Sequence, residues 1–349
     1  MENKPTVGIT LGDYNGIGPE VVIKTLTDER IFHFANYVIY GSRSVIHYYT
    51  KALKIQNFQV NELTSFEKLN TKIPNVVNCW NDQVQIAPGK ATNEAGADAL
   101  IALDRAISDL QQKNIDILVT GPVNKQTIAA KLPDFRGQTE YIASKVGAGK
   151  SLMMMCDDKL RVGLVTNHLP LKEVAGAIDM NGIFSKIEML HQSLTQDFAI
   201  HKPKIAVLAL NPHAGDNNLL GKEDREIIAP AVTKARDKGM IALGPYPADS
   251  FFGNHYYRHF DVVLAMYHDQ GLIPFKTLTF DTGVNYTAGL PIIRTSPDHG
   301  TAYDIAGKDK ANAGSLRNAI FAGLDILRNR ADYAEMTANP VERVSIERE

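Results

Sequence analysis

Short apolar runs rich in β-branched residues alternate along this chain with longer stretches of helical spacing, and that alternation admits one broad architecture. Apolar runs of roughly four to eight residues, with no polar face, belong in a parallel sheet covered by helices on both sides. The pattern predicts strands over 5–11, 37–41, 115–120, 161–166, 204–210, 261–267 and 290–294. The segment SLMMMCDDKLRVGLVT, 151–166, reads as two strands about an Asp157-Asp158 turn, so a hairpin joins the sheet. Helices are expected at 19–29, 93–112, 139–146, 181–197, 223–237 and 313–328. Pro19 suits a first helical position, and Asn93 offers a cap with Glu94 in an acidic first turn. Ala99, Leu103, Ala106, Ile107 and Leu110 give that helix its apolar face. The fold class is therefore α/β, and 349 residues allow two lobes that share one sheet.

Three predicted strands run straight into a histidine: RVGLVTNH to His168, KIAVLALNPH to His213 and DVVLAMYHDQG to His268. In open α/β sheets the carboxyl ends of strands frame the ligand crevice. Three imidazoles that leave open coordination positions make a catalytic metal site. The plain alternative is a surface or hydrogen-bonded role, as most of the ten histidines must have. His33, His47, His191, His201, His255 and His259 lack the strand-end setting and are read that way. Recurrence at three equivalent positions, beside Asn167, Pro212 and Asp269, is what favours metal. Asp249 in PYPADSFF is a further candidate, as an acceptor behind a ligand or as a base, with a helix N-cap equally open.

Composition removes other classes. Two cysteines, Cys79 and Cys156, are too few for a disulfide framework or a cysteine-built zinc site. A net charge of −2 without a Lys/Arg block argues against nucleic acid, so any anionic substrate must be held by local charges. The N-terminal MENKPTVGITLGD lacks the apolar run of a signal peptide, and no stretch nears the ~18 apolar residues of a membrane span. The expected location is the cytoplasm.

Two glycine-containing stretches follow strands. GDYNGIGPE, 12–20, can cradle a phosphate at a helix N-terminus or simply turn tightly, and it fails the G-x-G-x-x-G dinucleotide fingerprint. DHGTAYDIAGKDKAN, 298–312, is rich in small residues and backbone donors. It resembles the adenosine-binding loop of the isocitrate and isopropylmalate dehydrogenase group, with Tyr303 where proline is usual. A narrower resemblance covers residues 7 to 325. ITLGDYNGIGPE, TGPVNK, GQTE, TNHLPL, NPHAG, PADSFF, AMYHDQG and LPIIRTSPDHGTA occur in the order found in the 4-hydroxythreonine-4-phosphate dehydrogenase family of pyridoxal phosphate biosynthesis.

That resemblance implies two α/β/α lobes sharing a mixed, largely parallel sheet, with the active site in the cleft. The nucleotide-side lobe would comprise 1–135 and 290–349, and the metal and substrate lobe 136–289. It implies NAD-dependent oxidation of a phosphorylated hydroxy-amino acid followed by decarboxylation, in a homodimer whose site is completed at the subunit interface. By the same resemblance His168, His213 and His268 hold a divalent metal, zinc or one of cobalt, magnesium and nickel. Thr139, Lys276, Asn285 and Arg294 match substrate-binding positions. Lys276, Asp249 or a metal-bound water could serve as the acid–base group. His299, Gly300, Ala302, Asp304 and Asn312 fall on the cofactor, with a carboxylate at Asp304 favouring NAD over NADP. One position departs: Gln138 in G-Q-T-E stands where the family usually has histidine, and glutamine cannot become cationic. Gln138 therefore keeps a paralogous substrate open, D-threonate or D-erythronate 4-phosphate. A hydrolase using the same histidines to activate water is a further reading, disfavoured by the adenosine loop.

Overall fold

The computed structural model describes residues 4–80 and 84–339, so the last ten residues assigned to the nucleotide-side lobe lie outside the described residues. Twelve strands follow in chain order: β1 (Thr6–Thr10), β2 (Asn36–Gly41), β3 (Asn61–Glu62), β4 (Asn75–Asn78), β5 (Ile117–Thr120), β6 (Leu152–Cys156), β7 (Arg161–Leu164), β8 (Lys204–Leu208), β9 (Ile241–Tyr246), β10 (Val262–Ala265), β11 (Val284–Ala288) and β12 (Ile293–Pro297). They form one sheet in the order β3-β4-β2-β1-β5-β12-β11-β6-β7-β10-β8-β9. The continuous apolar runs are the central strands, and β1, β2, β5 and β10 are buried along their whole length.

The sheet is mixed at its centre. β11 pairs antiparallel with both β12 and β6, and β6 pairs antiparallel with β7. Three successive reversals leave the two parallel blocks on either side running in opposite senses. The expected hairpin is β6–β7, closed where the Asp157 N–H donates to the Leu160 carbonyl at 3.1 Å. Strand 290–294 is displaced toward the C-terminus, to Ile293–Pro297, because Pro291 has no N–H for the ladder.

The expected helices are present, with adjusted ends. Helix 93–111 is capped by Thr92, whose hydroxyl accepts from Ala95 N–H at 3.2 Å, so Asn93 is its first residue and not its cap. The C-terminal helix runs over Gly314–Thr337, well past the expected end. It is anchored by a buried network. Arg330 Nε donates to Asp197 Oδ1 at 2.7 Å, while Tyr286 OH and Ser193 Oγ both donate to Asp197 Oδ2 at 2.6 Å. Tyr286 lies in β11, so this network pins the central strand from behind. Side chains alternate across a strand, which leaves Asn285 and Thr287 on the opposite face. Among the described residues no helix is long and apolar enough to cross a membrane.

Candidate active site

The opposite face of the central strands forms the floor of a cleft of about 310 Å3. Met153 and Met155 of β6, Asn285 of β11, and Arg294 and Ser296 of β12 line it, each pointing the same way by the two-residue period. Arg294 is the site's most constrained residue. Only 3% exposed, it donates through Nη2 and Nε to Thr120 Oγ1 at 2.7 and 3.1 Å, and through Nη1 to Thr287 Oγ1 at 3.2 Å and Thr139 Oγ1 at 3.4 Å. No carboxylate forms an ion pair with it among the described residues. Burial lowers its pKa to about 10, with Glu140 across the cleft opposing the shift. Its hydrogen bonds all go to neutral hydroxyls, so no ion pair offsets its charge.

One wall is the helix His268–Thr279, which the apolar pattern missed because Pro274 interrupts it. His268, Leu272 and Lys276 recur every four residues and share the face that lines the cleft. Lys276 Nζ lies 3.0 Å from Asp298 Oδ1 and donates to the Asp298 carbonyl at 3.3 Å. Burial raises the Asp298 pKa, and the Lys276 charge and hydrogen bond work against that rise. Asp298, Glu140 and Lys125 line the cleft without having been singled out in the sequence, where isolated charges look like solvated surface.

The strand-end histidines divide two to one. The β7 and β10 exits are stitched together by Val165 N–H to the Ala265 carbonyl at 2.9 Å and Thr166 Oγ1 to the Met266 carbonyl at 2.7 Å. His168 and His268 follow these exits with ring centroids 5.7 Å apart. His268 Nδ1 is 2.7 Å from Asp269 Oδ1; a carboxylate only accepts, so Nδ1 is the donor and Nε2 is the ring nitrogen turned away from Asp269. Burial, then the Lys125 charge, lowers the His168 pKa and favours the neutral ring. His213 stands apart, exposed and outside the cleft lining. Among the described residues no group of three His, Cys, Asp or Glu side chains could hold a metal ion. His213 lies on an unusual segment: His213, Ala214, Asp216 and Asn217 have φ of 53°, 53°, 40° and 55°. Left-handed backbone at several non-glycine residues is held only when the surroundings impose it, and such strain gathers at functional sites. Here Asp224 secures the entry, accepting from the N–H groups of Leu210 at 2.7 Å and Asn211 at 3.2 Å.

Gln138 opens the helix Gln138–Lys145 at the cleft wall. Its Nε2 donates to the Gly121 carbonyl at 3.0 Å, while Oε1 is buried without a partner. The expected donor is thus partly engaged by the protein, and an acceptor stands idle. Asn285 Oδ1 is likewise buried and unpartnered. Asp249 is exposed in the first turn of helix Ala248–Gly253, which Pro247 precedes; it neither caps that helix nor lines the cleft.

On the other side of the cleft, His299 and Gly300 belong to the lining. His299 Nε2 is buried and unpartnered, burial lowers its pKa, and the position of a Cβ on Gly300 is open space. Ala302 has φ 41°. Asp304 and Asn312 are exposed beyond the cleft; Asn312 Oδ1 accepts from Gly314 N–H at 2.8 Å. The GDYNGIG segment, 12–18, is wholly buried and outside the cleft lining, so its tight-turn reading holds. It braces the loop that carries His299: Ile17 N–H donates to the Thr301 carbonyl at 2.9 Å, and Tyr303 OH to Asp13 Oδ2 at 2.6 Å.

Burial raises the Asp13 pKa, and the Tyr303 bond restrains the rise. A raised carboxyl favours the fold below its ordinary value and loses that contribution as pH climbs through the raised one. Tyr303→Phe removes the restraint, so a loss of about 1–3 kcal/mol at pH 7 is expected, shrinking toward pH 4. Urea unfolding at the two pH values measures it, and an equal loss at both contradicts the assignment.

Residues 33–322 match the family described as pyridoxal phosphate biosynthetic protein PdxA. A 4-hydroxythreonine-4-phosphate dehydrogenase of Bacteroides thetaiotaomicron is 49% identical over 344 residues, covering 98% of this chain and 94% of that protein. The 4-hydroxythreonine-4-phosphate dehydrogenase structure from Klebsiella pneumoniae superposes with a TM-score of 0.82 at 32% identity, covering 94% of this chain and 99% of that one. A terephthalate 1,2-cis-dihydrodiol dehydrogenase structure from Burkholderia xenovorans superposes less closely, with a TM-score of 0.61 at 26% identity over 93% of this chain and 98% of that one.

Proposed function

The chain belongs to the PdxA family of pyridoxal phosphate biosynthetic proteins and is an oxidoreductase. From that premise we propose that it oxidises 4-hydroxy-L-threonine 4-phosphate at C3 with NAD, the product decarboxylating to 3-amino-2-oxopropyl phosphate. The observation that carries the reading is Arg294, a buried guanidinium on the floor of the cleft with no ion-pair partner among the described residues. A cation so placed is stabilised when an anionic substrate arrives.

His168 and His268 suit a divalent metal, since both present nitrogen ligands and the surroundings favour neutral imidazole at His168. His213 is proposed to reach the site of a second subunit. Leu171, Leu219 and Ile273 support that view: each lies within six residues of one of the three histidines, and they are 71%, 79% and 64% exposed. A homodimer covering them would bring His213 across the interface. NAD is proposed to enter beside His299, over the open face of Gly300, with Ala302, Asp304 and Asn312 farther along the cofactor. The lobe division has support in the strand order. β3 to β12 in that order come from 1–135 and 290–349, and β11 to β9 come from 136–289.

When bound, NAD would supply the hydride acceptor and a metal held by the histidines would supply Lewis acidity toward the substrate hydroxyl. The chain's residues hold the substrate and move protons. Arg294 and Thr139 meet the anionic substrate, and Asn285 and Gln138 offer buried acceptors to its hydroxyl or ammonium groups. Lys276, held by Asp298, is the acid–base group facing the cleft. A neutral acceptor at Gln138 accommodates a hydroxyl as well as an ammonium, which keeps threonate 4-phosphate as the comparator. Steady-state assays of the two substrates with NAD are expected to show higher kcat/KM for the amino compound; preference for threonate 4-phosphate would reassign the substrate. Asp304→Ala is expected to weaken NAD about tenfold and the substrate little, since its carboxylate is proposed to accept from the adenosine ribose. Titration with each ligand checks this, and unchanged NAD affinity contradicts it.

A further inference from the structure

Lys125 ends the TGPVNK segment and lines the cleft, yet has no part in the scheme above. We infer that Lys125 is a substrate-binding residue that grips the substrate's phosphate together with Arg294. The inference rests on the cleft being the site of a phosphorylated hydroxy acid.

Three cations border the cleft, and their partners differ. Lys276 is neutralised by Asp298 at 3.0 Å, so it is poorly suited to hold a second anion. Arg294 has threonine hydroxyls and no carboxylate. Lys125 makes no ion pair or side-chain hydrogen bond among the described residues, and its side chain is exposed to solvent. The two cations without an ion-pair partner among the described residues are therefore Arg294 and Lys125, although Glu140 stands near both. A phosphomonoester carries nearly two negative charges near pH 7, which matches two cations better than one.

The placement agrees. A Cβ built on Gly137 would lie 3.7 Å from Lys125 Nζ. Gly137 is the N-cap of helix Gln138–Lys145, and no side chain caps that end. The first-turn residues Gln138, Thr139 and Glu140 all face the cleft. Arg294 reaches the same turn through its bond to Thr139 at 3.4 Å. Uncapped N–H groups, a hydroxyl and two cations thus converge on one turn, a donor set suited to a three-oxygen dianion more than to a two-oxygen carboxylate. Glu140 Oε2 borders the same spot, 2.8 Å from the Gly137 Cβ position. That carboxylate makes the second cation necessary, because without Lys125 a dianion beside Glu140 would face Arg294 alone.

Calorimetric titration of inorganic phosphate into the NAD-free enzyme tests the inference directly. Lys125→Ala is expected to weaken phosphate roughly tenfold or more, and Lys125→Arg to bring it back to within about threefold. With 4-hydroxythreonine 4-phosphate, Lys125→Ala should raise KM roughly tenfold while kcat stays within about threefold. Unchanged phosphate affinity in Lys125→Ala, a fall in kcat alone, or no phosphate binding by the unaltered enzyme would each overturn the inference. Lys125-dependent phosphate binding by an enzyme that fails to oxidise 4-hydroxythreonine 4-phosphate would uphold the phosphate site and remove the proposed reaction instead.

Discussion

Alanine at His168 or His268 is expected to cut turnover by at least ~10^3-fold, with loss of bound metal and no change in fold. His168 sits on a loop and His268 opens a helix, and the β7 and β10 exits that precede them are tied by backbone and threonine bonds, so neither side chain is needed to hold the strands together. His168 makes no side-chain hydrogen bond among the described residues, and His268 bonds only to its exposed neighbour Asp269. Their loss should cost well under ~1 kcal/mol of stability. His213→Ala is expected to be equally inactive, and it allows a sharper experiment. If His213 serves the partner's site, mixing His168→Ala subunits with His213→Ala subunits creates hybrids with one intact site. Activity should return on mixing. Hybrids that stay inactive would mean that all three histidines serve a site within one subunit, and a His213→Ala enzyme that is active on its own would mean that His213 serves none.

Arg294→Met should separate stability from function. In the free enzyme the guanidinium is buried without an ion-pair partner, Glu140 offsets only part of that cost, and the fall of its pKa to about 10 corresponds to roughly 3 kcal/mol of unfavourable surroundings. Methionine fills much of the same volume and needs no desolvation of charge. Three threonine hydroxyls lose their donor, which returns part of the gain, although hydroxyls can turn toward other acceptors. The net expectation is a protein as stable as the original or more so, by up to ~3 kcal/mol. Substrate binding should fall by ~10^3-fold or more, because a charge-assisted contact to an anion is lost in a desolvated site. Chemical denaturation and steady-state kinetics on one preparation check both halves. A strongly destabilised variant would mean that Arg294 is a structural residue.

The central strands were legible because they are buried on both faces, and so their apolar runs are unbroken. β11 was not. Asn285 faces the cleft and Thr287 accepts from Arg294 on the same side of the strand, so the sequence VNYTA carries polar residues where a core strand would be apolar. β12 carries the same kind of residue, with Arg294 and Ser296 facing the cleft, in addition to the shift that Pro291 imposes on its start. The site thus erased the pattern of the strands that build it. The sequence grouped His168, His213 and His268 as three equivalent strand ends, and the fold brings His168 and His268 together at the exits of neighbouring strands. Nothing local says that His213 is carried away from them by left-handed backbone. Nor does a single charge announce its burial: Arg294 reads like any surface arginine until β11 and β12 close around it. Family resemblance reached Arg294 and Lys276. Asp298 and Lys125 needed the fold, since only there does one neutralise Lys276 and the other stand free.

The most direct measurement of the central claim is product stoichiometry on 4-hydroxythreonine 4-phosphate, with NAD present and metal first removed and then restored. NADH and carbon dioxide should form one for one, only when metal is present, with the phosphate remaining esterified. Release of inorganic phosphate without NAD reduction, or equal NADH formation in metal-stripped enzyme, would contradict the account.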